Sequence, residues 1–224
     1  MRREVKDFRN DKSLNEITVD GDEFARAAHN ALVFTPARSC VPAAMLYVTE
    51  HELYFLATDT YTIGRPSLGP TRGAKPLHIE LTRSDLQNLD KLGRACKGEL
   101  RIAFPDDRGL IATGVQTQVQ EAIPNRAGTL NYDRKIWNLC DDLLRQMERR
   151  DPQIPELLAL DPALLSRFGR IKTPKGSSPM LDMRITSATE PILIKCGPRF
   201  MGVLMPVDRG GAGQSTTRGN EFLW

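Results

Sequence analysis

A short pattern that occurs three times along the chain constrains the fold most strongly. In each case an alternating apolar segment ends in a helix-capping residue, and an amphipathic helix follows directly. The segments and their helices are 17–20 with 21–34, 77–82 with 83–97, and 157–161 with 162–171. Asp20, Thr82 and Asp161 are the capping residues. This recurrence predicts an internal repeat.

Strand patterns follow each helix and extend the repeat. They cover 45–48, 53–58 and a third strand reaching Ile63, then 100–104, 110–113 and 115–123, and finally 180–185, 191–196 and 200–207. Alternation of apolar and polar residues is typical of half-exposed antiparallel strands. Each unit is therefore β-α-β-β-β, which predicts an α+β fold built on antiparallel sheets.

The stretch 124–155 interrupts this rhythm. It holds one helical pattern over 133–149, and its predicted apolar side consists of Ile136, Leu139, Cys140, Leu143 and Met147. No set of three strands follows it before the third unit begins. We therefore predict an N-terminal extension (1–15), a complete domain (16–123), a shortened domain (124–207) and a flexible, Gly-, Ser- and Thr-rich C-terminal tail (208–224).

Composition and residue spacing exclude several classes of protein. A hydrophobic content of 40% and a charged content of 26% are typical of soluble globular proteins. No segment approaches the ~18 apolar residues of a membrane span, and the first residues lack a signal-peptide pattern, so we expect a cytoplasmic protein with no membrane partner. The four cysteines are far apart and the three histidines occur singly, so we expect no metal site and no cofactor.

Enzyme signatures are also missing from the sequence. The segment 69–75 superficially suggests a phosphate loop, but it lacks the G-x-x-x-x-G-K-[ST] spacing and precedes a strand instead of a helix. Asp106 and Asp107 lie in a Pro-Asp-Asp-Arg-Gly turn, where aspartates commonly cap the backbone. With no nucleophile–base pair, we predict a protein without a catalytic site.

Two strings resemble segments of the bacterial DNA sliding clamp, the DNA polymerase III beta subunit family. LYFLATDTYTI at 53–63 resembles the "L-x-x-x-A-T-D-x-x-R-L" segment of the family's middle domain, and FMGVLMPV at 200–207 resembles its C-terminal "Y-V-V-M-P-M". The resemblance spans about 16–207. It implies a DNA-clamp fold of β-α-β-β-β units with antiparallel sheets outside, helices inside and a truncated second domain. A family chain has three domains of two units each, so this chain resembles a shortened, divergent member such as a phage encodes.

The resemblance also implies a peptide-binding pocket between the two domains, where the family receives a motif from polymerases and other partners. Carried over by position, one wall would be Thr58, Thr60, Tyr61, Thr62 and Ile63, and the other would be Val203, Met205, Pro206 and Val207. The family's usual Gly, His and Arg are replaced here by Thr60, Tyr61 and Thr62, which leaves the peptide preference open. Ordinary core strands would show the same alternation.

Cations follow the exposed sides of three predicted helices. Arg83, Lys91 and Arg94 recur at helical spacing, and Arg167 and Arg170 lie on the third unit's helix, while the lone helix adds Arg134, Arg145 and Arg149. In the family such helices contact the phosphates of duplex DNA without reading bases. Solvated helix faces in other proteins carry the same pattern.

These features predict a processivity factor that binds duplex DNA, docks a polymerase or other replication proteins through a peptide, and forms a homo-oligomer because one chain has too few units to surround DNA. One alternative is a clamp mimic that binds or redirects a host clamp or polymerase without encircling DNA. Another is an enzyme on an unrelated antiparallel fold. The apolar end, Glu-Phe-Leu-Trp at 221–224, is either a disordered terminus or a segment that docks into a pocket.

Overall fold

The computed structural model describes residues 15–35, 43–69, 74–105, 109–124 and 135–208. The predicted tail beyond Asp208, Arg134, and the turn residues Asp106 and Asp107 lie outside the described residues. Within these ranges the elements are β1 (Asn15–Asp20), α1 (Gly21–Val33), β2 (Ala44–Val48), β3 (Leu53–Thr58), β4 (Thr62–Pro66), β5 (Leu77–Leu81), α2 (Arg83–Ala95), β6 (Glu99–Phe104), β7 (Gly109–Gly114), β8 (Gln120–Pro124), α3 (Lys135–Arg149), α4 (Pro162–Phe168), β9 (Leu181–Arg184), β10 (Ile192–Cys196) and β11 (Phe200–Leu204).

The first two units exchange their first strands. β1 pairs antiparallel with β6 of the second unit, and β5 pairs antiparallel with β2 of the first. The helices start at the predicted caps: the Asp20 side chain accepts a hydrogen bond from the Glu23 N–H, and Thr82 and Asp85 form a reciprocal capping box. The β-α-β-β-β order of both units is confirmed.

The third unit lacks its first strand, so the strand predicted at 157–160 is wrong. This segment forms no ladder, and its Ala159 carbonyl accepts a hydrogen bond from the N–H of Val207, three residues beyond β11, at 2.8 Å. In the first two units, each first strand pairs with the sheet of the other unit. No described strand pairs with the segment before α4, and the backbone of this segment therefore stays irregular.

The strands form two antiparallel sheets. One has the order β1-β6-β7-β8, and the other has the order β5-β2-β3-β4-β11-β10-β9. In the larger sheet β4 pairs antiparallel with β11, which places Ile63 opposite Val203 and Gly64 opposite Gly202. We call this β4–β11 ladder the seam. It joins strands from the two predicted domains by backbone hydrogen bonds.

α1 and α4 lie on one face of the seven-stranded sheet, whereas α2 contacts β5 of that sheet and also β7 and β8 of the four-stranded sheet. α1 packs against α2 at very short range, since a Cβ at Gly93 would lie 2.7 Å from the Gly21 carbonyl oxygen. Over the seam, the rings of Phe34, Phe168 and Phe200 pack together, with centroids 5.1 Å apart for the Phe34–Phe168 pair and 5.4 Å for Phe34–Phe200. Gly64 allows this approach, because a Cβ there would overlap the Phe34 ring.

α3 covers the opposite face of the seven-stranded sheet. Its buried side chains are Trp137, Cys140, Leu144 and Met147, which pack on strand residues such as Leu56, Ile63, Leu193 and Val203. The predicted apolar side is therefore wrong in part: Leu139 is 65% exposed, while Trp137 and Leu144 face the sheet. The predicted side is rotated from the observed one, because helical spacing alone did not show which of several apolar stripes meets the sheet.

One predicted strand is shorter than its alternating pattern indicated. The pattern over 115–123 predicted a strand, but β7 ends at Gly114 and β8 begins at Gln120. A hairpin turn lies between them and is closed by the Gly114 N–H bonding to the Val119 carbonyl at 2.8 Å. Gln118 adopts φ +57° in this turn, and Val115 is exposed. The alternation of apolar and polar residues in the sequence continues through this turn, and the prediction therefore placed the start of the strand too early.

Candidate peptide-binding notch and cationic helix face

The turn between β3 and β4 closes over one end of the seam and is shaped by Asp59. Its Oδ1 accepts hydrogen bonds from the Tyr61 N–H at 3.2 Å, the Thr62 N–H at 2.8 Å and the Thr62 hydroxyl at 2.7 Å. The Thr58 hydroxyl donates to the Thr62 carbonyl at 2.9 Å. This arrangement explains the Ala-Thr-Asp string, because an aspartate that bonds the following N–H groups stabilises a tight turn.

Thr60 adopts a left-handed backbone conformation in this turn, with φ +78°. A side chain with a branched Cβ is disfavoured there, whereas glycine adopts it without steric cost. The resemblance places a glycine at this position. The exposed Thr60 therefore carries backbone strain within a candidate binding surface.

We expect Thr60→Gly to raise the free energy of unfolding by up to about 1 kcal/mol, because relief of the strain exceeds the entropy that glycine adds to the unfolded chain. Denaturant unfolding of the two proteins measures the difference. Thr58→Gly is the matched control and should destabilise, since Thr58 ends β3 and donates a hydrogen bond within the turn. A loss of stability in both variants would show that the backbone at Thr60 is not strained.

Three segments meet beside this turn. The Met205 N–H bonds to the Tyr61 carbonyl at 2.9 Å, and the Val207 N–H bonds to the Ala159 carbonyl at 2.8 Å. Residues 205–207 thus lie between the turn and the irregular segment of the third unit. We define the notch as 58–61, 157–159 and 205–207. Its apolar side chains reach solvent: Tyr61 is 61%, Leu157 56% and Val207 43% exposed.

The predicted pocket residues separate into two groups. Thr58, Thr60, Tyr61, Met205, Pro206 and Val207 are exposed or half-buried at the notch. Thr62, Ile63 and Val203 are buried, and the last two pack in the cluster beneath α3. The sequence-based set omitted the segment 157–159, which joins the notch through a tertiary contact that no local pattern reports.

Two arginines predicted to face DNA have internal partners. Arg167 forms an ion pair with Asp59 and donates a hydrogen bond to the Thr62 hydroxyl at 3.2 Å. Arg83 donates to the Thr35 carbonyl at 2.9 Å and the Leu32 carbonyl at 3.2 Å, and so satisfies groups at the end of α1. These long side chains fold back onto neighbouring elements instead of extending along an exposed ridge.

Lys91 and Arg94 lie on α2 and Arg170 lies just beyond α4, whereas Arg145 and Arg149 lie on α3, on the other face of the sheet. His29 of α1 contacts Asp90 of α2, with 3.6 Å between Nδ1 and Oδ2. The buried Asn30 side chain exchanges two 2.9 Å hydrogen bonds with the backbone of Lys172, just beyond α4. α1 is therefore flanked by α2 and by the chain leaving α4. We define the cationic face as the exposed side chains on α2 and just beyond α4: Lys91, Arg94, Arg170 and Lys172.

Asp90 partly neutralises the cationic face. Arg94 donates a bidentate pair of hydrogen bonds to this carboxylate, with Nε 2.7 Å from Oδ1 and Nη2 2.9 Å from Oδ2. Burial acts to raise the pKa of Asp90, but hydrogen bonds from His29 and Arg94 outweigh it, and the pKa falls below its usual value. Asp90 is thus ionised near neutral pH, and Arg94 already holds a counter-charge.

Comparison with solved structures identifies the architecture. The chain is similar to a DNA polymerase sliding clamp from Pseudomonas aeruginosa (12% identity, TM-score 0.61, covering 86% of this chain and 66% of that chain). It is similar to a putative DNA polymerase III beta subunit from Eubacterium rectale (11%, 0.61, 86% and 65%) and to the beta subunit from Thermotoga maritima (9%, 0.66, 93% and 69%). This chain has the DNA-clamp fold.

The α+β clamp fold implied by the two strings is therefore confirmed, and the chain spans about two thirds of the length of these solved clamp chains. No family model and no curated protein matches the sequence. At 9–12% identity the likeness shows the fold alone. A phage origin stays a prediction.

A charged cavity of about 610 Å³ lies at the opposite end of the seam, between α3 and the sheet. Six of its charged side chains form ion pairs: Arg65 with Glu52, Arg145 with Asp141 at 2.6 Å, and Lys195 with Glu148 at 2.6 Å. Hydrogen bonding to Lys195 holds the pKa of Glu148 below its usual value. The Lys195–Glu148 pair connects α3 to the sheet, as does Arg65, whose Nε lies 3.7 Å from Asp141 Oδ1.

The thiols of Cys96, Cys140 and Cys196 are unpaired and buried. Burial raises the pKa of Cys140 to about 11, so this thiol is protonated near neutral pH and is a poor nucleophile.

Across the residues with described positions, no group of three or more metal-ligating side chains comes together. No helix in the same ranges is long and apolar enough to cross a bilayer.

Proposed function

We propose that this protein is a non-catalytic, sliding-clamp-like processivity factor of the cytoplasm that binds duplex DNA and holds replication proteins through a peptide. The observation that carries the proposal is the seam on a clamp fold: β4 and β11 pair directly, and an exposed apolar notch lies where their ladder ends. The first string that resembled the clamp family covers β3, the turn and the start of β4, and the second covers β11 and the three residues after it.

The DNA-binding part of the proposal rests on the cationic face. Lys91 is exposed on α2, and Arg170 and Lys172 are exposed just beyond α4. The opposite sides of α1 and α2 pack on the sheets. Exposed cations that meet phosphates release counterions, which gives binding that depends on salt and is indifferent to base sequence. Such loose contacts allow a protein to slide along a duplex.

The peptide-binding part rests on the notch. Tyr61, Leu157 and Val207 offer apolar surface, and Met205 adds a thioether side chain that adapts to different partners. The Asp59–Arg167 pair holds the turn in place, so a peptide would meet a preformed surface. Preformed surfaces lose less entropy on binding.

Self-association completes the mechanism. With about two thirds of the length of the solved clamp chains, one copy has too few units to surround a duplex. We therefore propose a homo-oligomer around or along DNA.

A clamp mimic that acts on a host clamp or polymerase is the competing function. A monomer in light scattering that shows no affinity for nicked circular DNA would favour the mimic.

We expect Lys91→Glu and Arg170→Glu each to weaken duplex binding several-fold and to reduce the slope of log affinity against log salt by about 1, because each removes roughly one phosphate contact. Fluorescence anisotropy with a labelled duplex from 50 to 200 mM salt, on the order of physiological strength, measures both quantities. The binding affinity should fall equally for unrelated duplex sequences.

Arg149→Glu is the matched control for these variants. Arg149 is exposed at the end of α3, on the other face of the sheet, and its replacement changes net charge by the same amount. The control should keep the full salt slope. Equal losses in all three variants would show that overall charge, and not the cationic face, governs binding.

A further inference from the structure

The chain leaves the described residues directly beside the notch. Val207 is bonded to Ala159 inside the notch, and Asp208 is the last described residue. Sixteen further residues, 209–224, follow in the sequence. The notch itself exposes three large apolar side chains within a short distance of this point, and clustered exposed apolar groups on a globular protein mark an interaction site.

The composition of these sixteen residues is sharply divided. Residues 209–220 read RGGAGQSTTRGN, in which Ala212 is the sole apolar side chain. The next four are Glu221, Phe222, Leu223 and Trp224. Every large apolar side chain after Val207 is thus concentrated in three consecutive positions, at the far end of a polar, Gly-rich connection.

The length of the connection suits a return to the notch. For a Gly- and Ser-rich chain of about 14 residues, the root-mean-square end-to-end distance is roughly 20 Å. An end tethered at that distance has an effective concentration on the order of 1 mM at a site near the tether's origin. A weak intrinsic affinity is therefore sufficient for substantial occupancy.

We propose that Phe222, Leu223 and Trp224 bind the notch of their own chain and compete with partner peptides for it. This inference rests on the proposed role of the notch as a peptide site. Docking covers the exposed surfaces of Tyr61, Leu157 and Val207 with two aromatic rings and a leucine. A partner peptide must then displace the segment, so that only partners above a threshold affinity are held.

The size of the competition follows from the tether. With an effective concentration on the order of 1 mM and an intrinsic dissociation constant on the order of 0.1 mM, self-occupancy weakens the apparent affinity for a free peptide about tenfold. The test uses a fluorescent clamp-binding peptide that bears leucine and phenylalanine. Its dissociation constant is measured for the full chain, for a chain ending at Asp208, and for a full chain carrying F222A, L223A and W224A.

The expected result is about tenfold tighter peptide binding to both altered chains than to the full chain. Adding Y61A to the chain ending at Asp208 should remove that binding, which locates it at the notch. Equal affinity of all three chains would overturn the cis contact and leave the peptide site intact. Failure of the peptide to bind any of them would overturn the peptide site itself, and the inference with it.

A second measurement separates docking within one chain from docking between copies. Apparent peptide affinity of the full chain should not depend on protein concentration, and its mass by light scattering should match that of the triple variant. A larger mass for the full chain that falls on dilution would overturn the cis contact in favour of exchange between two copies. The triple variant preserves chain length, so these comparisons do not depend on the truncated chain folding normally.

Discussion

Replacing Trp137 with alanine should lower the free energy of unfolding by about 3–5 kcal/mol. The indole side chain is 1% exposed and is the largest fully buried one among the described residues. It belongs to the cluster under α3 that also holds Leu56, Leu193 and Val203. Alanine would lose this apolar contact area and leave a cavity that the sheet cannot fill, because the strands are fixed by their ladders.

Urea denaturation followed by circular dichroism measures this loss. Leu139→Ala is the control on the same helix: its side chain is 65% exposed, and substitutions at such positions change stability by less than about 0.5 kcal/mol. Both changes introduce alanine, the strongest helix former, so helix propensity does not account for a loss of stability in either variant. If the two variants lost equal stability, α3 would not pack on the sheet as described.

Asp59→Ala should lower the free energy of unfolding by about 2–3 kcal/mol and weaken peptide binding at the notch. The substitution removes the acceptor for the Tyr61 and Thr62 N–H groups and for the Thr62 hydroxyl, and it leaves Arg167 without its carboxylate. Unsatisfied buried donors each cost about 1–3 kcal/mol. Partial exposure of Arg167 limits the cost of its lost ion pair.

A double-mutant cycle with Arg167→Ala tests the ion pair directly. Groups in contact show coupling of about 0.5–3 kcal/mol, whereas independent sites add. Additive losses would mean that the pair does not hold the turn. The exposed Asp151 supplies the control, since Asp151→Ala removes the same side chain outside the notch and should leave both stability and peptide affinity nearly unchanged.

The first two units could be predicted closely because their signals are local. Asp20 and Thr82 cap the helices that follow them, and each cap acts within one helical turn. The strand at 157–160 could not be excluded in the same way, because the segment has a strand-like sequence but no strand to pair with. The buried side of α3 likewise depends on how the helix packs on the sheet, and the sequence of the helix alone does not specify that packing.

The site was predictable in composition and not in arrangement. The resemblance of two strings brought Tyr61 and Val207 into one hypothesis, and the seam brings their segments together through Ala159 and Met205. Helical spacing placed Arg83 and Arg167 on exposed ridges, but it carries no information about where a long side chain ends. Both guanidinium groups find acceptors on neighbouring elements: Arg83 on the end of α1 and Arg167 on the turn after β3.

The position of α3 has a consequence for the proposed homo-oligomer on DNA. The helix contacts β3 on one side of the seam and β10 and β11 on the other, so the two predicted domains share one layer of buried side chains. Rotating one against the other would expose that layer to water and break the β4–β11 hydrogen bonds. If the proposed homo-oligomer closes a ring around DNA, we therefore expect the ring to open between neighbouring copies, while each copy moves as one rigid body.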